Sequence, residues 1–147
     1  MKTKLKLVIF LFIGLAFSAN AQKTTITKAA LPTNAQTFLK THFPKQEPSY
    51  IIKDKEVFST DYKVQFKNNI EVEFGEKGNW EEVDGSDTST SIPETIIPKT
   101  VASYIKTNFA NTTVTKISKD TKGYEVNLNT GLELKFNTKG SFIRIDN

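Results

Sequence analysis

The chain repeats itself. Displaced by 66 positions, Leu31-Pro32 falls on Ile97-Pro98, Phe38-Leu39-Lys40-Thr41 on Tyr104-Ile105-Lys106-Thr107, Phe43 on Phe109, and Lys53-Asp54 on Lys119-Asp120. Further on the displacement drops to 62, because the first copy holds four extra residues near 56–61. Tyr62 and Val64 then match Tyr124 and Val126, Glu71 matches Glu133, Phe74 matches Phe136, Lys77-Gly78 matches Lys139-Gly140, Trp80 matches Phe142 and Asp84 matches Asp146. Self-similarity held across several kinds of local pattern restricts the fold to one supersecondary unit built twice. The units run over 31–84 and 92–147, with the clearest matches of the second at 97–146. Between them, 85–91 (GSDTSTS) is a short polar linker, which keeps the units adjacent in one shared domain.

Each unit has the same internal plan. Ala35, Phe38, Leu39, His42 and Phe43 lie at helical spacing on one face, as do Val101, Tyr104, Ile105, Asn108 and Phe109. Pro32 and Pro98 suit helix starts, where a missing N–H costs nothing, and Pro44 stops the first helix. The period then becomes two. Tyr62, Val64 and Phe66 alternate with polar residues, as do Ile70, Val72 and Phe74; Tyr124, Val126 and Leu128, then Leu132, Leu134 and Phe136, repeat this in the second copy. Such alternation marks antiparallel strands with one dry and one wet face. Asn68-Asn69 and Asn129-Thr130-Gly131 supply hairpin turns. With earlier strands at about 49–54 and 114–119, the expectation is an α+β fold: two tandem helix-plus-four-strand repeats, an antiparallel sheet of up to eight strands with both helices on one face, and the other face open.

The N-terminus reads as an address. Lys2, Lys4 and Lys6 precede an apolar run over 7–17, and Ser18-Ala19-Asn20-Ala21 offers small residues for cleavage after Ala21. Residues 1–21 are thus expected to be a signal peptide, since eleven apolar residues are too few to cross a bilayer; an uncleaved anchor is the competing reading. Residues 22–30 read as a flexible tail. The formal charge of +4 falls to +1 once the three leader lysines are set aside, so the pI of about 9.2 supports no nucleic-acid partner. Nor is there a membrane span after cleavage. The product is expected to be exported, periplasmic or secreted. With no cysteine it has no disulfide, thiol nucleophile or iron–sulfur cluster.

These motifs resemble a known family. The pattern LP…FL…HFP followed by YKVQF-KNN-IEVEF-GEKGNWEEVDG, and its echo YIKTNF…GYEVNL-NTG-LELKF-NTKGSFIRID, is similar to the PepSY-like, beta-lactamase-inhibitor-like (BLIP-like) exported bacterial proteins over about 31–147. The resemblance implies a tandem α+β body in the bacterial envelope, without catalytic activity, and suggests protein binding by a concave sheet. It brings no functional residue with it, and this chain lacks the cysteines that staple the secreted inhibitor.

The chemical inventory is sparse. His42 is the one imidazole, and Asn108 stands in its place in the second copy, so it reads as a packed boundary residue rather than a base. Glu71 and Glu73 could serve acid–base chemistry or bind calcium, but Lys63, Lys67 and Lys135 at similar alternating positions make cross-strand ion pairs the simpler reading. Asp84-Gly85-Ser86-Asp87 hints at a calcium loop without the spacing of an EF-hand. Trp80 is an interface candidate, though Phe142 in the matching place favours a core contact. Asn111-Thr112-Thr113 fits a glycosylation acceptor that export from a bacterium would leave unused.

From this follows an expected function: an exported, non-enzymatic binding module, without cofactor, that engages an envelope or secreted protein through its open sheet face, as an inhibitor among other modes. The alternative is a small-ligand or calcium-binding periplasmic protein. The expected contact residues are Lys63, Gln65, Lys67, Glu71, Glu73, Glu125, Asn127, Glu133 and Lys135.

Overall fold

The structure, a computed structural model, describes residues 22–87 and 89–146; the signal-peptide expectation lies outside them. No helix among the described residues is long and apolar enough to cross a membrane. Two ten-residue helices, α1 (Thr33–His42) and α2 (Lys99–Asn108), accompany nine strands. The strands are β1 (Gln22–Thr25), β2 (Pro48–Lys55), β3 (Thr60–Phe66), β4 (Glu71–Phe74), β5 (Trp80–Asp84), β6 (Val114–Lys119), β7 (Gly123–Leu128), β8 (Glu133–Asn137) and β9 (Phe142–Asp146). They form one antiparallel sheet in simple chain order. The fold is therefore α+β, with a helix ahead of each set of four strands.

Two details differ from expectation. Gln22–Thr25 is a strand rather than a frayed tail: it pairs with β2 in the register Gln22↔Lys55 to Thr25↔Ile52, and Lys28–Ala30 forms a 3-10 turn. Its four residues are all exposed, so backbone hydrogen bonds to β2, and not burial, hold it. That makes nine strands where eight were expected. The prolines, too, sit one residue earlier than the first helical position: Pro32 and Pro98 occupy the N-cap places. In the second half a further 3-10 turn, Glu94–Ile96, precedes Pro98.

The two halves match down to their irregularities. Ser49 in β2 and Thr115 in β6 are extra residues at a register shift, as are Glu81 in β5 and Ile143 in β9. Such bulges bend a strand and raise its twist.

The core lies between the helices and the dry side of the sheet. Ala35, Leu39 and Phe43 from the first helical segment, with Val101 and Ile105 from α2, meet Val64, Phe66, Val72, Phe74, Val83, Ile117, Val126, Leu128, Leu134 and Phe136, all buried. Aromatic contacts recur in pairs. Phe38 meets Phe74 edge-on at 5.5 Å, and Tyr104 meets Phe136 edge-on at 5.6 Å. Phe38 lies 5.9 Å from Trp80 where Tyr104 stacks on Phe142 at 4.6 Å. Trp80 is therefore a half-buried core contact, as its match to Phe142 suggests. Edge-to-face and offset pairs of this kind add to the area that each ring buries.

The halves also touch directly. Val83 of β5 faces Ile117 of β6, which makes the sheet continuous across them. His42 Nδ1 lies 2.9 Å from Thr95 Oγ1, and its ring packs 4.5 Å from Phe38. Half-burial holds the imidazole pKa below its ordinary value.

Candidate functional site

Alternation along each strand sends every second side chain to the side away from the helices. One row across that face reads Ile52, Lys63, Glu73, Glu82, Ser118, Glu125, Lys135 and Arg144, each directly opposite the next. The row beside it reads Tyr50, Gln65, Glu71, Asp84, Lys116, Asn127, Glu133 and Asp146. Among the described residues no helix covers this face.

Eight of the nine expected contact residues lie in these rows: Lys63, Gln65, Glu71 and Glu73 towards one end, Glu125, Asn127, Glu133 and Lys135 towards the other. Lys67 does not. It occupies the turn after β3, where Asn69 takes a positive φ of 67° and the alternation has ended. The expectation missed the middle of the face, Glu82, Asp84, Lys116 and Ser118. The alternation of Glu82, Val83 and Asp84, and of Lys116, Ile117 and Ser118, was the available signal.

The charges are already partnered. Lys63 pairs with Glu73 and lies 3.5 Å from Glu71. Lys116 bridges the halves, 2.7 Å from Glu82 and 3.2 Å from Asp84. Lys135 is a hub, 2.8 Å from Glu125, 3.6 Å from Glu133 and 3.0 Å from Asp146, and Arg144 Nε lies 2.6 Å from Asp146. Lys63 thus partners the two carboxylates of β4 and Lys116 the two of β5, which lessens the repulsion where Glu73 faces Glu82 and Glu71 faces Asp84.

The ionisation follows this pairing. Its hydrogen bond to Glu73 raises the Lys63 pKa against a smaller effect of burial. At Lys116 burial opposes the charge, and the combined pull of Glu82 and Asp84 outweighs it, so the pKa again rises. Hydrogen bonds to Glu125 and Asp146 raise that of Lys135. Asp146 is pushed down to about 2 by Arg144 and then Lys135. All these groups are charged at neutral pH.

The face is acidic on balance. With Asp54 and Asp61 at the β2–β3 end and Lys23 reaching Asp54 at 3.3 Å, it carries nine carboxylates against five cations, although the chain from residue 22 is net positive. A shallow depression of about 250 Å³ lies where the halves meet, lined by Glu73, Glu81, Glu82, Ser118, Lys119, Asp120, Gly123 and Glu125.

None of this forms a ready metal cage. Calcium takes six to eight oxygens converging at short range, whereas the face places lysine ammonium groups between its carboxylates. No cluster of three or more potential ligands is found among the described residues. The Asp84–Asp87 segment uses its carboxylates in turns: Asp84 Oδ1 accepts from the Ser86 N–H at 2.7 Å, and Asp87 Oδ1 accepts from the Ser89 and Thr90 N–H groups. Asp120 likewise accepts from the N–H groups of Lys122 and Gly123.

Comparison with known proteins agrees with this architecture. The family described as "Putative beta-lactamase-inhibitor-like, PepSY-like" matches residues 18–68 and again 60–144, one match for each half. No curated protein matches the chain. Among solved structures, a "putative calcium-regulated periplasmic protein" from Bacteroides thetaiotaomicron is 40% identical, with a TM-score of 0.79 over 85% of this chain and 97% of that one. A "putative periplasmic protein" from Bacteroides vulgatus is 35% identical, with a TM-score of 0.77 over 85% and 97%. Another from Bacteroides vulgatus, "of unknown function", is 33% identical, with a TM-score of 0.78 over 86% and all of that chain.

Proposed function

This chain belongs to the PepSY-like, beta-lactamase-inhibitor-like family, and from that premise we propose that it is a non-enzymatic binding module that engages an envelope or secreted protein through its open sheet face. It is an exported protein, as its periplasmic relatives are. In this reading the two helix-plus-four-strand repeats make one BLIP-like body, and the family description makes an enzyme the first kind of partner to assay for inhibition. The observation that carries the reading is the face itself: two rows, polar from β3 to β9, whose charged side chains are held by ion pairs. Preordered side chains lose little freedom on binding, which favours a rigid recognition surface. The excess of carboxylates suits a partner with a basic surface.

The test is affinity capture from envelope extract with residues 22–147 as bait, beside a Ser118→Arg/Asn127→Arg variant. Both positions lie in the rows, and neither side chain belongs to an ion pair. A partner held by the parent and lost by the variant supports face binding, and its activity can then be assayed with and without the chain. Reversing Lys63 would serve less well, because it strips Glu71 and Glu73 of their counter-charge.

The alternative is a small-ligand or calcium-binding role, favoured by the description of the Bacteroides thetaiotaomicron relative as calcium-regulated. A ligand bound only by the folded state raises its stability, so millimolar calcium should raise the melting temperature under this reading and leave it unchanged under the first.

A further inference from the structure

β9 occupies in the second half the place of β5 in the first, and what lies beyond each strand differs. Beyond β5 runs β6: Val83 faces Ile117 and is fully buried, and Asp84 faces Lys116 at 3.2 Å. Beyond β9 no strand pairs among the described residues. Ile145, which stands in the place of Val83, is 44% exposed, and Ile143, in the place of Glu81, is 53% exposed. Natural edge strands usually carry charge or cover, because a bare apolar edge recruits another strand. Here the edge strand is more apolar than its central counterpart.

We propose that β9 pairs antiparallel with β9 of a second copy of this chain, across a two-fold axis at Ile145. In that register Ile145 faces its own counterpart, as Val83 faces Ile117. Arg144 then faces Asp146 of the second copy, and Asp146 faces Arg144, so the contact that Lys116 gives Asp84 inside the chain recurs twice. An isologous contact closes on itself. The other edge fits worse: β1 offers Gln22, Lys23, Thr24 and Thr25, with no apolar residue, and a β9–β1 contact would propagate head to tail without closing. One short strand buries little area, so the dissociation constant is on the order of 10–100 µM.

Sedimentation velocity of residues 22–147, from about 5 to about 500 µM so as to bracket that constant, tests this. A monomer–dimer equilibrium is expected. Ile145→Lys, which touches no ion pair, abolishes it. Arg144→Asp and Asp146→Arg each weaken it about tenfold or more, since symmetry repeats every like-charge contact; the double swap Arg144→Asp/Asp146→Arg returns it to within about threefold of the parent. A chain that stays monomeric throughout, a double swap no better than the single changes, or growth beyond the dimer overturns the proposal. The Ser118→Arg/Asn127→Arg variant leaves the dimer intact, so this proposal and the sheet-face reading fail separately.

Discussion

The Lys119 ammonium of β6 lies over the indole of Trp80 in β5, 4.2 Å from the ring centroid. The contact crosses the junction between the halves, on the helix side of the sheet. Burial lowers the Lys119 pKa against a smaller opposing effect of Glu81, so the indole face offsets part of a desolvation cost. Lys53, which matches Lys119 in the first half, lies over a different ring, that of Tyr62, at a looser 5.9 Å.

Trp80→Ala should therefore lose ring packing against Phe38 together with the cation–π contact, at a cost of roughly 2–3 kcal/mol for a half-buried ring. Lys119→Gln should cost less. Urea unfolding of the two single variants and the double variant should give a coupling energy of about 0.5–1 kcal/mol. Additive effects would mean that the lysine is indifferent to the ring.

The turn before each last strand sits against the start of its helix. Asn34 Nδ2 donates to the Lys77 carbonyl at 3.2 Å, and Thr100 Oγ1 donates to the Lys139 carbonyl at 3.3 Å. Gly78 has a φ of 76°, and an added Cβ would lie 2.7 Å from Pro32 Cβ and 2.8 Å from the Ala35 nitrogen. Gly131, with a φ of 86°, has nothing within 4 Å. Gly131→Ala should then cost only the left-handed backbone conformation, about 1 kcal/mol, and Gly78→Ala about 3 kcal/mol because the turn must also part from the helix. Equal costs by denaturant unfolding would contradict this packing.

His42 should make stability depend on pH. Its pKa is lowered in the folded state from 6.5, so the unfolded chain binds the proton more readily. The stability is fully present above pH 6.5 and is lost as pH falls through the lower folded value. His42→Asn, which copies Asn108, should remove the part of that fall that sets in below pH 6.5. A variant whose melting temperature declines as steeply as the parent's would place the titration elsewhere.

Neither half should fold alone. Separating them exposes Val83 and Ile117, both fully buried, and removes the Lys116 contacts to Glu82 and Asp84 from a unit already near the lower size limit for a stable core. Circular dichroism of residues 22–84 and 92–147, made separately, should show no cooperative melting. A sharp transition in either would indicate two autonomous domains.

Much of this was legible in the sequence. The change from a period of 3.6 to 2 located both helices and the two hairpin strands of each repeat, because burial on one side of each element imposes that spacing. β1 escaped notice because an exposed edge strand needs only backbone hydrogen bonds, and Gln-Lys-Thr-Thr carries no apolar alternation. Lys67 falls outside the two rows because β3 ends at Phe66, where a turn closed by the Asn69 N–H on the Phe66 carbonyl begins, while the sequence alternation continues one step further. The middle of the polar face was missed for a different reason. Hairpins place Lys63 beside Glu73, and Glu125 beside Lys135, through short turns. Glu82 and Ser118 meet only because β5 pairs with β6 across the long connection that contains α2.

The most direct test of the face reading is the affinity of the captured partner for three forms of residues 22–147, measured by calorimetry. These are the parent, Ser118→Arg/Asn127→Arg on the open face, and Lys99→Glu/Lys106→Glu on the exposed side of α2. The account predicts that the face variant weakens binding at least about a hundredfold, as loss of central contacts does, while the helix variant stays within about threefold. The reverse ranking, with the partner held by the face variant and lost by the helix variant, would contradict it.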